Sequence, residues 1–113
     1  MLRILPSDIT TTQAAIWLDQ QLFPGKPIYN TGQVLTIRGN LRVDLFERAL
    51  HEAVAESRCL QLSPRSSQAA FNLTLLDFRD EKDPTTAAMR WMQSEMAAAI
   101  SLDDPALFRF ALI

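Results

Sequence analysis

Apolar residues first recur at helical spacing between positions 11 and 22, where Ala14, Leu18 and Leu22 share one face with Trp17 beside them. Thr10 and Gln13 stand three apart at the head of this run. That is the spacing of a capping box, in which each side chain satisfies a free backbone N–H of the other residue. Pro24-Gly25 predicts the stop. Over residues 33–38 the period changes to two: Leu35 and Ile37 alternate with Val34 and Thr36, which predicts a strand ended by Gly39-Asn40. A second helix follows, with Phe46, Ala49, Leu50, Ala53 and Val54 as its apolar stripe. Asp44 is its predicted cap and Glu47 the returning partner. Asp44 with Arg48, and Arg48 with Glu52, are four apart on the polar face and predict weak support there.

Residues 59–62 read as a short strand stopped by Pro64, and residues 65–68 as a turn. Phe71, Leu73 and Leu75 then alternate with Asn72 and Thr74, the period of a half-buried strand. After the charged loop at 79–83, Asp83 is placed to cap a third helix, and Pro84 suits its first turn, where no N–H is needed. Ala88, Met92, Met96, Ala99 and Ile100 form its predicted buried stripe. Asp103-Asp104-Pro105 predicts a turn and residues 107–113 a last strand. The fold class is therefore α+β, a mixed or antiparallel sheet with about three helices packed against it. The chain stops inside an apolar strand, at Phe110-Ala111-Leu112-Ile113, whereas chain ends are usually polar and frayed; the expectation is truncation.

Composition narrows the function classes. The length of 113 residues fits one domain or part of one, and 48% apolar residues suffice for a core. Eleven basic residues against thirteen acidic ones leave a net charge of −2, so no electrostatic footprint for nucleic acid exists. No apolar run exceeds that of Met96 to Ile100, which is far too short for a membrane span, and the amino terminus has no signal-peptide core. A single cysteine, Cys59, permits no internal disulfide and suggests a reducing compartment. The expected location is cytoplasmic, with no membrane partner.

Candidate chemistry is sparse. His51, the one histidine, falls on the second helix opposite the apolar stripe, between Glu47 and Glu52, where a solvated surface role is expected. Cys59 has no activating base near it in sequence. No group of His, Cys, Asp and Glu has metal-ligand spacing, and isolated Gly39 makes no phosphate-cradling loop. The methionines read as helix-core filler, and Trp17 and Trp91 as half-buried anchors. No catalytic, cofactor-binding or metal-binding residue is assigned.

Thr10-Thr11-Thr12-Gln13-Ala14-Ala15-Ile16-Trp17 resembles the first core motif, Ser-x-Ala-Gln-x-Arg-Leu-Trp, of nonribosomal peptide synthetase condensation domains. Gln13 and Trp17 match outright, Ile16 matches conservatively and Thr10 stands for Ser, while Thr12 and Ala15 depart from the motif. Leu22, Pro24-Gly25 and Tyr29-Asn30 resemble the family's "L-x-P-G … Y-N" entry to its first strand. Leu35-Thr36-Ile37-Arg38-Gly39 resembles "L-R-L-x-G", and Val43-Asp44 with Leu45-Phe46 and Ala49-Leu50 resembles "l-D-x-x-x-L-x-x-A-L". At the second core motif, Arg-His-Glu-x-Leu-Arg-Thr, residues 56–62 retain only Leu60. Residues 100–109 resemble "f-D-L-x-x-x-P-L-x-R", followed by Ala111-Leu112-Ile113 as its "a-L-l" strand. The pieces run in family order along nearly the whole chain.

The resemblance implies a partial chloramphenicol acetyltransferase-like lobe, with Thr10, Gln13, Trp17 and Leu60 as structural motif residues. It implies that residues 1–113 are the amino-terminal part of a condensation domain, cut before the catalytic His-His-x-x-x-Asp-Gly motif. The parent would join a carrier-bound acyl or peptidyl thioester to an aminoacyl thioester in secondary-metabolite biosynthesis. Its partners would be donor and acceptor peptidyl carrier proteins and the remainder of the synthetase. No cofactor would bind directly; the substrates would ride on phosphopantetheine arms of the carriers. Met1 stands close before the first motif, which fits a starter condensation domain whose acyl donor arrives on a separate protein. A non-catalytic carrier-protein-binding module is the reading from another class. The fragment alone is expected to be inactive, and self-association through its open strand edge is expected.

Overall fold

The computed structural model describes residues 9–57, 60, 71–104 and 106–113. Among them lie helix α1 at Thr11–Leu22, helix α2 at Val43–Glu56, strand β1 at Thr74–Leu75, helix α3 at Pro84–Ala97 and strand β2 at Ala111–Leu112. The architecture is mixed α+β, three helices set against a small sheet, consistent with a lobe of chloramphenicol acetyltransferase-like type. The two strands pair in parallel, Thr74 opposite Ala111 and Leu75 opposite Leu112. A parallel pair needs a crossover, and α3 supplies it.

The capping box of α1 is present: Thr10 N–H donates to Gln13 Oε1 at 2.8 Å and Gln13 N–H donates to Thr10 Oγ1 at 3.2 Å. The helix ends where Pro24-Gly25 predicts, with Gly25 at φ +80°, a conformation that suits a residue without Cβ. Gln20 Nε2 fastens this exit by donating to the carbonyls of Phe23 and Lys26 at 3.0 and 2.9 Å. The inward face of α1 differs from the expectation. Trp17 is only 6% exposed, while Leu18 and Leu22 point outward. Successive helical residues turn about 100°, so a face centred on Trp17 takes in Ala14 and Gln21 and leaves Leu18 and Leu22 at its rim.

α2 packs through Phe46, Leu50 and Val54, spaced four apart; Ala49 and Ala53 are exposed. Its start corrects the predicted cap. Arg42 is the N-cap and makes no side-chain cap, while Asp44 lies inside the first turn. The reason is that the Arg42 guanidinium holds the Asp44 carboxylate at 3.0 and 2.6 Å, so the expected partner of Asp44, Arg48, is superseded. α3 follows its signals: Asp83 accepts from Thr86 N–H at 3.1 Å and Pro84 opens the first turn. Its stripe is shorter than expected, because Ala99 and Ile100 lie beyond the helix end and Met96 is exposed.

Residues 33–38 are not a strand. They are exposed throughout, Val34 at 68% and Leu35 at 75%, and no described residue pairs with them. Alternation makes a segment suitable for a sheet but does not supply the neighbour whose N–H and C=O groups complete the ladder. The strands predicted at 71–75 and 107–113 are present only as their paired cores, Thr74–Leu75 and Ala111–Leu112. The strand expected at 59–62 and the turn at 65–68 lie outside the described residues, apart from half-buried Leu60, whose N–H donates to Ser57 O at 3.2 Å.

Candidate functional site

Two clusters gather residues from distant parts of the chain. The first surrounds the carboxyl end of α3. Asn30, in the loop that follows α1, donates through Nδ2 to Met96 O at 3.0 Å and Ala98 O at 2.8 Å. Arg109, just before β2, donates through Nη2 to Glu95 O at 3.1 Å and Ala98 O at 3.0 Å. Its Nη1 also lies 3.4 Å from a Glu95 carboxylate oxygen. Gly32 lies so close to the same helix end that a Cβ there would meet Met96 Sδ at 2.5 Å. The turn at 101–104 returns the chain toward β2, with Asp104 N–H donating to Ser101 O at 2.9 Å and Ser101 N–H to the Asp104 carboxylate at 3.0 Å.

The second cluster is aromatic. The His51 ring stacks on Phe71 at 4.3 Å with an interplanar angle of 16°. Phe71 meets Phe108 and Phe110 at 5.4 Å each, and those two meet at 5.3 Å. This packing joins α2 to the segments that enter β1 and β2. His51 is exposed, as expected, but its ring covers Phe71 rather than standing alone in water. Stacked aromatic rings contribute beyond their buried area. No hydrogen bond joins His51 to a carboxylate or nucleophile among the described residues. Cys59 lies outside the described residues.

Surface charges are held locally. Asp77 accepts from Arg79 Nε at 2.9 Å, and that guanidinium lowers the Asp77 carboxyl to about 2. Tyr29 O–H donates to the Asp19 carboxylate at 2.5 Å, and this bond raises the Tyr29 phenol above its ordinary range. The Thr86 side chain and N–H lower Asp83. A shallow groove open to solvent runs along Glu81, Lys82, Asp83, Thr86, Ala87 and Arg90, with both signs of charge on its walls. Among the described residues no group of three or more His, Cys, Asp and Glu could hold a metal ion, and no helix is long and apolar enough to cross a membrane.

The sequence-selected residues do not meet in one place. Thr10 and Gln13 sit at the start of α1, Trp17 is buried on its inner face, and Leu60 follows α2. Periodicity could not identify the pairing of Asn30 with Arg109, since both act on carbonyls of a third element. Their signal was positional: both fall in the stretches that resemble the condensation family, Tyr29-Asn30 and residues 100–109.

No family model matches the chain. The chain is 31% identical to a dimodular nonribosomal peptide synthase of Bacillus subtilis (strain 168), over 96% of the chain and 5% of that protein. It is 33% identical to an isonitrile lipopeptide synthase of Streptomyces coeruleorubidus, over 93% of the chain and 8% of that protein. Two crystal structures of variants of the starter condensation domain of rhizomide synthetase RzmA are similar in fold, each with a TM-score of 0.80 and 30% identity. One, in complex with C8-CoA and Leu-SNAC, aligns over 91% of the chain and 26% of its own length; the other aligns over 98% and 29%. The chain thus spans less than a tenth of the curated relatives and under a third of the solved domains.

Proposed function

Because the chain has a condensation-domain-like fold that matches the starter condensation domain of a nonribosomal peptide synthetase, we propose that it is the amino-terminal part of such a starter domain. The reaction would join an acyl donor to the amine of an aminoacyl thioester, in the biosynthesis of a secondary metabolite. The observation that carries the reading is the agreement in fold over 91% of the chain with a domain bound to C8-CoA and Leu-SNAC. By that likeness the donor is an acyl thioester and the acceptor an aminoacyl thioester on the phosphopantetheine arm of a carrier protein. Holding two thioesters in one orientation would supply most of the rate.

In this reading the segment contributes lobe structure and part of a tunnel wall. These 113 residues do not contain the His-His-x-x-x-Asp-Gly motif, since His51 is their one histidine. The chain alone is therefore expected to form no amide bond.

The test uses the protein that carries this segment together with its catalytic motif. It is offered a series of acyl-CoA and acyl-carrier donors, and separately a peptidyl-carrier donor, against one loaded acceptor carrier. N-acylated aminoacyl product from the acyl donors is expected. Product from the peptidyl donor alone would make the domain an internal condensation domain. Stable carrier binding without either product would favour the non-catalytic module.

A further inference from the structure

The carboxyl end of α3 is finished from outside the helix. α3 has no basic residue in its last turn, and Ala99 follows the C-cap Ala98 where a glycine often stands. The final carbonyls of a helix lack intrahelical partners and carry the negative end of the helix dipole. Here Glu95 O already accepts the Ala98 N–H at 3.2 Å, and the carbonyls of Glu95, Met96 and Ala98 accept side-chain donors from two remote segments. Ala98 O is shared by both: Asn30, 68 positions away, and Arg109, 11 positions away.

We propose that Asn30 and Arg109 act jointly as a clamp on α3 that positions β2 against β1. Arg109 lies two residues before Ala111, so anchoring its fork to the helix end sets the direction in which the chain enters the strand. The strand pair has little to align it by itself. Beyond its two-residue core it is joined by Thr74 N–H to Phe110 O at 3.1 Å and Leu76 N–H to Leu112 O at 3.0 Å. Isolated two-stranded pairs of this length are marginal in water. A guanidinium facing carbonyls at a helix carboxyl end makes charge-assisted bonds reinforced by the dipole. Asn30 completes the arrangement by spending one amide nitrogen on two carbonyls, and the contact of Gly32 with Met96 keeps its loop on the helix end. The clamp stands apart from the acyl-transfer reading, because it rests on these contacts alone.

Residue-resolved hydrogen exchange on the protein that carries this segment tests it. In Arg109→Gln the protection factors of the Thr74 and Leu76 amides are expected to fall about tenfold, while those in α1 stay unchanged. Arg109→Lys keeps the charge and should recover part of the loss. Asn30→Asp turns a donor toward Met96 O and Ala98 O into an acceptor, so the same two amides should lose protection at neutral pH. Carbonyls facing a carboxylate favour its protonated form, which can donate again. The folded pKa of that aspartate is thus raised, and the defect should shrink as the pH falls through it. Unchanged protection of Thr74 and Leu76 in both variants overturns the proposal. Equal loss in α1 and at these two amides also overturns it, because that is global destabilisation.

Discussion

Trp17 is the residue on which the opening helix depends. Its ring is buried, and its indole N–H has no hydrogen-bond partner among the described residues. Trp17→Ala should cost about 3–5 kcal/mol, the range for removing a large aromatic from a core. Trp17→Phe should cost clearly less, because it removes the N–H without breaking a bond in this structure. Thermal melts of the two variants check this; a melt of Trp17→Ala that overlays the parent would show the ring to be dispensable. Thr10→Ala should cost about 1 kcal/mol through loss of the cap on α1. Both residues could be read from the sequence, for different reasons. The capping box is a local contact between residues three apart, so spacing alone foretells it. The burial of Trp17 is tertiary: its reading as an anchor and its place in the family motif named it, whereas the apolar stripe of α1 pointed to Leu18 and Leu22, which the structure leaves outside. The stack of His51 on Phe71 had no local signal, since it joins a helix to a strand entry 20 positions away.

At the scale of elements, the two later helices separate cap residues that work from those that only look right. Asp83 and Asp44 both precede or open apolar runs, but Asp83 accepts from Thr86 N–H while Asp44 is engaged by Arg42. The sequence held the competitor in view, two residues upstream, and a guanidinium fork outbids a backbone N–H for a carboxylate. The Asp83 cap gives α3 a pH dependence with a definite sign. Its bonds to Thr86 hold the folded pKa below the ordinary aspartate value. Its stabilisation is therefore present above the unfolded pKa and is lost as the pH falls through the folded one. Circular dichroism should find Asp83→Ala less helical than the parent at neutral pH, the gap closing under acid below the ordinary aspartate range. A gap that persists unchanged in strong acid would remove the carboxylate from the account. The strand expected at 33–38 fails for the complementary reason: a helix satisfies its own backbone, whereas a strand needs a neighbour.

At the scale of the whole molecule, fold class and family likeness were legible because they depend on the order of many weak local patterns. Burial was not, because it depends on what covers each face. The buried apolar residues are Trp17, Val54 and Leu73 among those described, a thin core for this composition. The accessible surface is 8973 Å², against about 6,200 Å² expected for a compact monomer of this mass. The radius of gyration is 16.2 Å, where about 13 Å is usual for the length. Apolar residues close in sequence are among the exposed ones: Val34, Leu35, Ile37, Leu41, Val43 and Leu45. Extended, apolar backbone without a ladder partner recruits other chains, and apolar patches drive association. The net charge of −2 offers little repulsion against it. The isolated chain should therefore self-associate. Sedimentation velocity over a concentration series should show mass rising with concentration, and Leu35→Lys with Ile37→Glu should reduce it. A monomer at every concentration that also melts cooperatively would mean that the chain is an independent folding unit despite the three buried apolar side chains and two-residue strand pair among the described residues.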